Sequence, residues 1–275
     1  MADTVFNKNE LVLEKVRSVA VHELTAGGIG GKMLYRLTSV EDPTLSCTAE
    51  GEEVTDAIGA VITTLYRAKK ATFSGTNSLI SLDLAAAQYG TEKEVAGTNN
   101  KIVDYAYQVL TIDGGKVTLD KEPLTMTDEE GNTESTVNYI YSIVDGEIGA
   151  TYEAGAAADA DHFVISGKEI TVPTGLTGKV YVEYQYETEN AVKVTNMASE
   201  FPEACSLVIY AYFKDKCNEN LTYSGKVICP KAKLNPESIE LALTSTGKHP
   251  FEFTMMKDYC AEEGEDELFS IIVAQ

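Results

Sequence analysis

The chain has 275 residues, of which 44% are hydrophobic and 8% aromatic, which is enough apolar material for one large domain or two modest ones and excludes a disordered chain. Its 43 acidic residues outnumber 22 basic ones, and the net charge of −21 disfavours sequence-specific reading of nucleic acid and docking on an anionic membrane. No apolar run has the length of a secretory core or a membrane helix, and the five cysteines form no Cys-x-x-Cys pair, so we expect a protein of a reducing cytosol without a signal peptide.

Strands dominate the first hundred residues. Strand composition recurs at residues 11–21, 33–38, 44–49 and 71–74. Residues 56–66 fit helical spacing but are also rich in β-branched side chains, so both interpretations stay open. A helix is predicted at residues 78–89, where Asn77 or Ser78 can cap the start and Gly90 ends it. Its apolar stripe consists of Leu79, Leu82, Ala86 and Tyr89.

Residues 101–195 are predicted to be β throughout. The tripeptide Asp113-Gly114-Gly115 indicates a hairpin turn between two short strands. Residues 177–189 alternate most regularly, which places two sets of side chains on opposite faces of a sheet. With 17 acidic and 6 basic residues the segment has a net charge of −11, and its length suits a small β-sandwich.

The last third of the chain returns to longer strands. They are predicted at residues 206–213, 225–229, 251–255 and 268–273, with further alternation at 239–244. The first of these is apolar on both faces, which indicates a strand covered on both sides. Pro230 is expected to end the second, because proline cannot donate to a strand ladder.

Two kinds of stretch in the sequence are candidate ligand sites, one rich in glycine and the other acidic. Residues 27–32 suggest a phosphate-binding loop, but the pattern requires glycine in place of Ala26 and a hydroxyl in place of Met33, so we expect a flexible loop. The acidic run at residues 128–132 lacks the alternating ligands of a calcium loop. The pair Asp159 and Asp161, which flanks Ala160 in an alanine-rich stretch, fits a solvated loop.

The other reactive residues match no catalytic or metal motif. The three histidines, which lie far apart in the sequence, are His22, His162 and His249. No nucleophile elbow is present. Three cysteines spaced by twelve residues, without a nearby histidine, favour buried thiols over zinc; they are Cys205, Cys217 and Cys229. We therefore predict no catalytic, cofactor or metal site.

Fifteen tyrosines and no tryptophan fit strands with one solvated face, because tyrosine can bury its ring and keep its hydroxyl in water. An aromatic platform for a ligand is the alternative.

Three stretches of the chain resemble the tail tube proteins of long-tailed bacteriophages. They are residues 56–90, residues 178–187 after 163–172, and residues 235–253 followed by Asp258-Tyr259-Cys260 and an apolar strand. The resemblance implies a mainly β fold, a sandwich or partial barrel of two packed sheets with one flanking α-helix. Residues 1–100 and 196–275, with the helix at 78–89, would form the tail-tube-like core, and residues 101–195 would be an acidic β-sandwich insertion.

The resemblance also implies a structural virion protein and no enzyme. Six copies would form a ring, and rings would stack into a hollow tail tube through which DNA is ejected into the host. The partners would be further copies of the chain, the tape measure and terminator proteins of the tail, and DNA in transient passage, with no membrane and no cofactor. The protein would be made in the host cytoplasm and end in the virion tail.

The acidic composition suits a DNA conduit, because a wall of carboxylates repels phosphates and retains no DNA. Our candidates for the acidic lumen are Glu50, Glu52, Glu53 and Asp56. Assembly needs edge strands that pair between subunits. The candidates are the segment before Glu53 and the C-terminal strand with Leu268, Phe269, Ile271 and Ile272.

Other classes of protein stay open. Residues 101–195, taken alone, would suit a head decoration protein. They would also suit an adhesin or binding module built on Ig-like sandwiches. An enzyme without a recognised motif or a sugar-binding module would be favoured by a deep pocket with convergent polar groups.

Overall fold

β-Strands account for 61% of the chain and helix for 3%, which confirms the predicted mainly β fold with one helix. The computed structural model describes residues 10–25, 30–127, 133–216, 218, 220–236, 241, 244, 247–257 and 267–274. The chain forms two compact units: unit 1 comprises residues 1–93 and 194–275, and unit 2 comprises residues 94–193. The domain boundaries at residues 100 and 195, and the roles assigned from the sequence to the two parts, stay predictions.

The first strands and the helix are β1 (Leu11–Glu23), β2 (Met33–Leu37), β3 (Val40–Thr55), β4 (Val61–Asn77) and α1 (Leu82–Tyr89). Unit 2 contains β5 (Glu94–Val95), β6 (Ile102–Thr111), β7 (Lys116–Thr118), β8 (Thr125–Thr127), β9 (Thr133–Ser135), β10 (Tyr139–Val144), β11 (Glu147–Ala154), β12 (His162–Ser166), β13 (Glu169–Thr171), β14 (Lys179–Thr188) and β15 (Val192–Lys193). The chain then returns to unit 1 with β16 (Ala204–Asp215), β17 (Thr222–Leu234), β18 (His249–Met255) and β19 (Ser270–Ala274).

Unit 1 is built on one eight-stranded antiparallel sheet that is nearly closed into a barrel. The strand order is β2-β1-β16-β17-β18-β4-β3, and β19 pairs with β17 beside this path. β17 is long enough to pair with two strands beside β16: residues 224–228 pair with β19, and residues 232–234 pair with β18. The predicted strand at 239–244 lies largely outside the described residues.

The core of unit 1 follows from the period of two along each strand. In β18 every second side chain points inward, and these are His249, Phe251, Phe253 and Met255. β16 lies between β1 and β17, and its five residues 205–209 are buried without alternation, which confirms the prediction of a doubly covered strand.

Pro230 does not end β17, contrary to the sequence-based prediction, because the strand continues to Leu234. The register shifts here: Leu207 pairs with Cys229, while Cys205 pairs with Ala232. Pro230 therefore lies in a bulge, where its missing N–H removes no bond from the ladder.

Helix α1 begins later than the sequence predicted. Its N-cap is Ser81, whose hydroxyl accepts a hydrogen bond from the Leu84 N–H, so the prediction of Asn77 or Ser78 as the cap is wrong. The Asn77 amide donates instead to the Leu79 carbonyl, and the Ser78 hydroxyl donates to the Glu41 carboxylate of β3 over 2.7 Å. The predicted stripe is also wrong at Leu79 and Leu82, which are exposed. The buried face consists of Leu84, Ala85, Ala86 and Gln88.

A buried histidine ties the helix to β18. The Ser81 N–H donates to Nδ1 of His249 over 3.2 Å, so Nε2 carries the ring proton and donates to Oε1 of Gln88 over 2.6 Å. The Gln88 amide donates in turn to the Pro250 carbonyl. This arrangement needs a neutral imidazole, and burial lowers the pKa of His249 below its ordinary value.

Unit 2 has a seven-stranded sheet of order β6-β14-β10-β11-β12-β13-β7, in which only β11 and β12 run parallel among the strand pairs that the structure describes. The predicted alternation of β14 is confirmed, since Val180, Val182 and Tyr184 are buried. They pack in one cluster with Phe163 of β12 and Ile170 of β13, so the core lies between the two halves of the sheet. Two small pairs, β5-β15 and β8-β9, complete the unit.

We predict that Gly90→Ala destabilises unit 1. Gly90 has a left-handed φ of 73°, and an added Cβ would lie 2.3 Å from the backbone carbonyl of Phe201. Strain and overpacking together should lower the free energy of unfolding by about 2 kcal/mol or more. Urea denaturation of the full chain measures this. Gly97→Ala is the control, because an added Cβ there meets nothing within 4 Å; equal loss in both variants would contradict the prediction.

We also predict that His249 makes unit 1 less stable in acid. Because the folded pKa lies below the ordinary value of 6.5, the unfolded chain takes up a proton first. The contribution of His249 is therefore complete above pH 6.5 and is lost as the pH falls below it. His249→Gln should unfold more easily at pH 7.5 but lose less further stability between pH 7 and pH 5.

The control for this pH dependence is His162→Gln. His162 is exposed, and its hydrogen bond to Asp159 raises the pKa of His162, so its effect has the opposite sign. A wild-type slope that persists in His249→Gln would show that other groups cause it.

Candidate assembly surfaces

The outer part of the β3–β4 hairpin, residues 46–70, is exposed on both faces; we call it the ribbon. Among these residues only Thr64 is partly covered. Residues 56–66, which the sequence left open between helix and strand, form the turn and the first part of β4. The ribbon is thus a two-stranded extension that no other described element covers.

The ribbon divides the predicted lumen acids between its faces. Glu50 pairs with Arg67 and Glu52 with Leu65, so these two carboxylates point to the same side. Glu53 comes directly after Glu52 in the strand and therefore points to the opposite side. The carboxylate of Glu52 also forms an exposed ion pair with Arg67 at 2.8 Å.

Asp56, the fourth predicted lumen acid, organises the hairpin turn. Its carboxylate accepts hydrogen bonds from the N–H groups of Ile58 at 3.0 Å and Ala60 at 2.8 Å. Gly59 supplies the positive φ of 85° that the turn requires. Asp56 therefore has a structural role in this chain, whatever surface its carboxylate faces.

Apolar side chains cover much of the ribbon. Ile58 is 89% exposed, Ile62 66% and Tyr66 76%, and Val61 and Leu65 are more than half exposed as well. A two-stranded ribbon is marginal in water by itself, and a run of exposed apolar side chains marks a surface that contacts another molecule. The segment before Glu53, predicted from the sequence as an assembly element, includes residues 46–52 of the ribbon, and its role stays a prediction. The apolar side chains of the β4 half were not predicted as a surface, although the β-branched run from residue 61 was their signal.

The C-terminal strand contributes to the core and leaves an edge open. β19 pairs antiparallel with β17 of the same chain, and Leu268 and Phe269 pack against the core of unit 1. Ile271 and Ile272 are 56% and 48% exposed. In the described part of the chain, no strand pairs with the second edge of β19. The assembly role given to these four residues stays a prediction.

The main sheet also ends in two edges. β2 and β3 are the terminal strands of the path, and within the described ranges each pairs with one neighbour only. β3 runs over 16 residues. Strand edges of this length present unpaired N–H and C=O groups to any incoming strand.

The histidines are not brought together. His22 and His249 lie on different strands of unit 1, and His162 lies in unit 2. His162 contacts Asp159, whose pKa is lowered by hydrogen bonds from the backbone of Asp161 and from His162. The predicted acidic loop is therefore an exposed local turn. Residues 26–29 of the glycine-rich loop and the acidic run at 128–132 lie outside the described residues.

The cysteines described by the structure are free thiols. Cys205 and Cys229 are buried, and burial raises the pKa of each thiol to about 12, which keeps both protonated and unreactive at neutral pH. Cys47 is exposed, while Cys217 and Cys260 lie outside the described residues.

The described ranges show neither a metal-binding cluster nor a membrane-spanning helix. No group of three or more His, Cys, Asp or Glu side chains is placed to hold a metal ion. No helix there has both the length and the apolar character to cross a bilayer.

These features define a β-rich chain with open sheet edges and an apolar ribbon. The model of the YomU/Tube protein family matches residues 29–266. Because this match spans most of the chain, the protein belongs to that family, a family of phage tail tube proteins, which confirms the resemblance seen in the sequence. No curated protein matches the sequence. The family is structural, and membership makes the chain a component of the virion tail.

We predict that the two halves of the C-terminal segment differ in their effect on stability. Phe269→Ala should lower the free energy of unfolding by about 1–3 kcal/mol, because the ring is partly buried against the core. Ile272→Thr keeps a β-branched side chain at a half-exposed site and should cost less than about 1 kcal/mol. Denaturation of both full-length variants checks this; a larger loss for Ile272→Thr would contradict the assigned packing.

Proposed function

We propose that the chain is the subunit of a phage tail tube, in which copies join into rings of six and the rings stack into a hollow conduit for DNA ejection. The observation that carries the proposal is the apolar ribbon on a sheet with open edges, in a member of a tail tube family. Other tail proteins, the tape measure and the terminator, would be its further partners. Synthesis would take place in the host cytoplasm.

Lateral contact within a ring would use the edges of the main sheet. β2 and β3 offer unpaired backbone groups in the described chain, and strand pairing with a neighbouring copy satisfies them. A sheet that is nearly closed within one chain can continue into the next, so that six copies share one continuous ladder. The acidic residues along β3 would keep this edge from pairing indiscriminately.

Contact between stacked rings would use the ribbon. From residue 46 to the turn it has about eleven residues, which at ~3.3 Å each gives a reach of roughly 35 Å. That reach is comparable to the diameter of a small domain. The exposed side chains of Ile58, Ile62 and Tyr66 would be buried against the next ring, where their apolar area favours association.

The bore would be lined with carboxylates. The net charge of −21 makes like-charge repulsion available, and a repelling wall does not hold DNA at any one position. Glu50 and Glu52 share one ribbon face and are the best-placed pair for a common surface. Glu53 points to the opposite face, and the Asp56 carboxylate accepts hydrogen bonds within the turn. The bore would therefore be lined by fewer than the four acidic residues predicted from the sequence.

The test is tube formation by the purified full-length protein, observed by electron microscopy. We expect hollow tubes with a regular ring spacing. Ile62→Asp should abolish or shorten them by at least about tenfold, because it places a charge in the proposed ring-to-ring contact. It should leave the fold intact, since Ile62 is exposed and unpaired in the ladder.

The matched control is Ile148→Asp. Ile148 is a strand isoleucine of similar exposure, 61%, but belongs to unit 2. Tubes that form equally well with both variants would remove the ribbon from the interface. A protein that stays monomeric at high concentration would contradict the proposed function and favour a decoration or adhesin role, as would a map whose bore is neutral or basic.

A further inference from the structure

One outer face of unit 2 carries a group of tyrosines around a carboxylate. On β14, Tyr181, Glu183 and Gln185 point away from the core, because Val180, Val182 and Tyr184 point into it. Tyr107 of β6 lies opposite Glu183, and Tyr105 lies opposite Gln185. Glu183 is therefore flanked by aromatic rings along its own strand and across to the next.

The neighbouring strand β10 extends this aromatic face. Tyr141 lies opposite Tyr181, and Tyr139, two residues before Tyr141, points to the same side. The ring centroids of Tyr141 and Tyr181 are 6.0 Å apart, and those of Tyr107 and Tyr181 are 6.2 Å apart in a stacked arrangement. These contacts hold the rings in a shared layer.

A cavity of about 450 Å³ opens at one end of the face. Its lining includes Tyr105 and Tyr139, together with Glu134 and Met126 of the β8–β9 hairpin. This volume lies within the range of small-ligand pockets. Gln185 donates from its amide to the Tyr105 hydroxyl over 2.8 Å, which orients that ring at the pocket edge.

The lining combines flat apolar rings with hydrogen-bond acceptors. The carboxylates of Glu134 and Glu183 and the amides of Asn138 and Gln185 face the same cavity, and the described lining contains no Lys, Arg or His. Unit 2 carries 18 acidic against 6 basic residues, a net charge of −12, which repels an anionic ligand.

Two ligand classes suit aromatic rings next to carboxylates. A quaternary ammonium binds ring faces but donates no hydrogen bonds, so it would leave the carboxylates and amides without directional partners. A sugar uses both features, because its C–H face packs on a ring while its hydroxyls donate to the acceptors. We propose that this pocket binds a neutral saccharide. The proposal is independent of tube formation, since every residue it uses belongs to unit 2.

The test is binding of neutral oligosaccharides to the full-length protein. The probes are maltotriose, cellotriose and tri-N-acetylchitotriose, each followed by saturation-transfer NMR and by tyrosine emission, which tryptophan does not mask in this chain. At least one probe should bind in the micromolar to millimolar range. Tyr139→Ala and Tyr105→Ala should each weaken that binding about tenfold or more, and Glu183→Gln should weaken it by about threefold or more.

Two controls make the result specific. Phe201→Ala removes a ring of unit 1 whose exposure, 63%, is close to the 67% of Tyr105, and should leave binding within about twofold of wild type. Tyr139→Phe keeps the ring and should retain most of the affinity, which separates ring stacking from a folding defect in Tyr139→Ala. No binding of any probe, binding unchanged in the alanine variants, or binding of tetramethylammonium in place of the sugars would each overturn the proposal.

Discussion

Backbone hydrogen bonding between antiparallel strands is the interaction on which the structure depends. In unit 1 it joins strands from both ends of the chain, because β16 lies between β1 and β17 and is buried on both sides. The same bonding leaves β2, β3 and β19 with unused edges in the described chain. An unpaired edge in a monomer is a liability, whereas in a repeating assembly it is the contact surface. Under the proposed function, the open edges would be the contacts between copies of the chain.

The two units use this bonding differently. Unit 1 concentrates free edges and a long exposed ribbon, features that suit contact with copies of itself. Unit 2 has an aromatic outer face with a polar pocket and a greater excess of acidic residues for its size. A division between an assembling part and a part that presents a ligand site would explain why the chain contains both.

The sequence predicted well the strands whose side chains follow the pattern of the core. It predicted less well the element boundaries that depend on contacts between residues far apart in the chain. β14 and β18 could be read from their alternation, and β16 from its apolar run, because the core imposes those patterns directly. The start of α1 could not be read, because Ser81 is selected by the hydrogen bond between its N–H and His249, a residue 168 positions away. The apolar half of the ribbon was not predicted, because its side chains face no part of the described chain and intramolecular burial left no pattern there. The acids on it could be found by composition, but only the register separates Glu53 from Glu50 and Glu52.

The way β17 shares its two halves between β19 and β18 has a consequence for local opening. The bulge at Pro230 separates the halves, so detaching β19 breaks five residue pairs without disturbing the β17–β18 ladder. The terminal strand can thus exchange its amide hydrogens, or trade places with the same strand of another molecule, at a cost well below that of global unfolding. The path from β2 to β3 stays intact while the last strand of the chain opens and closes independently.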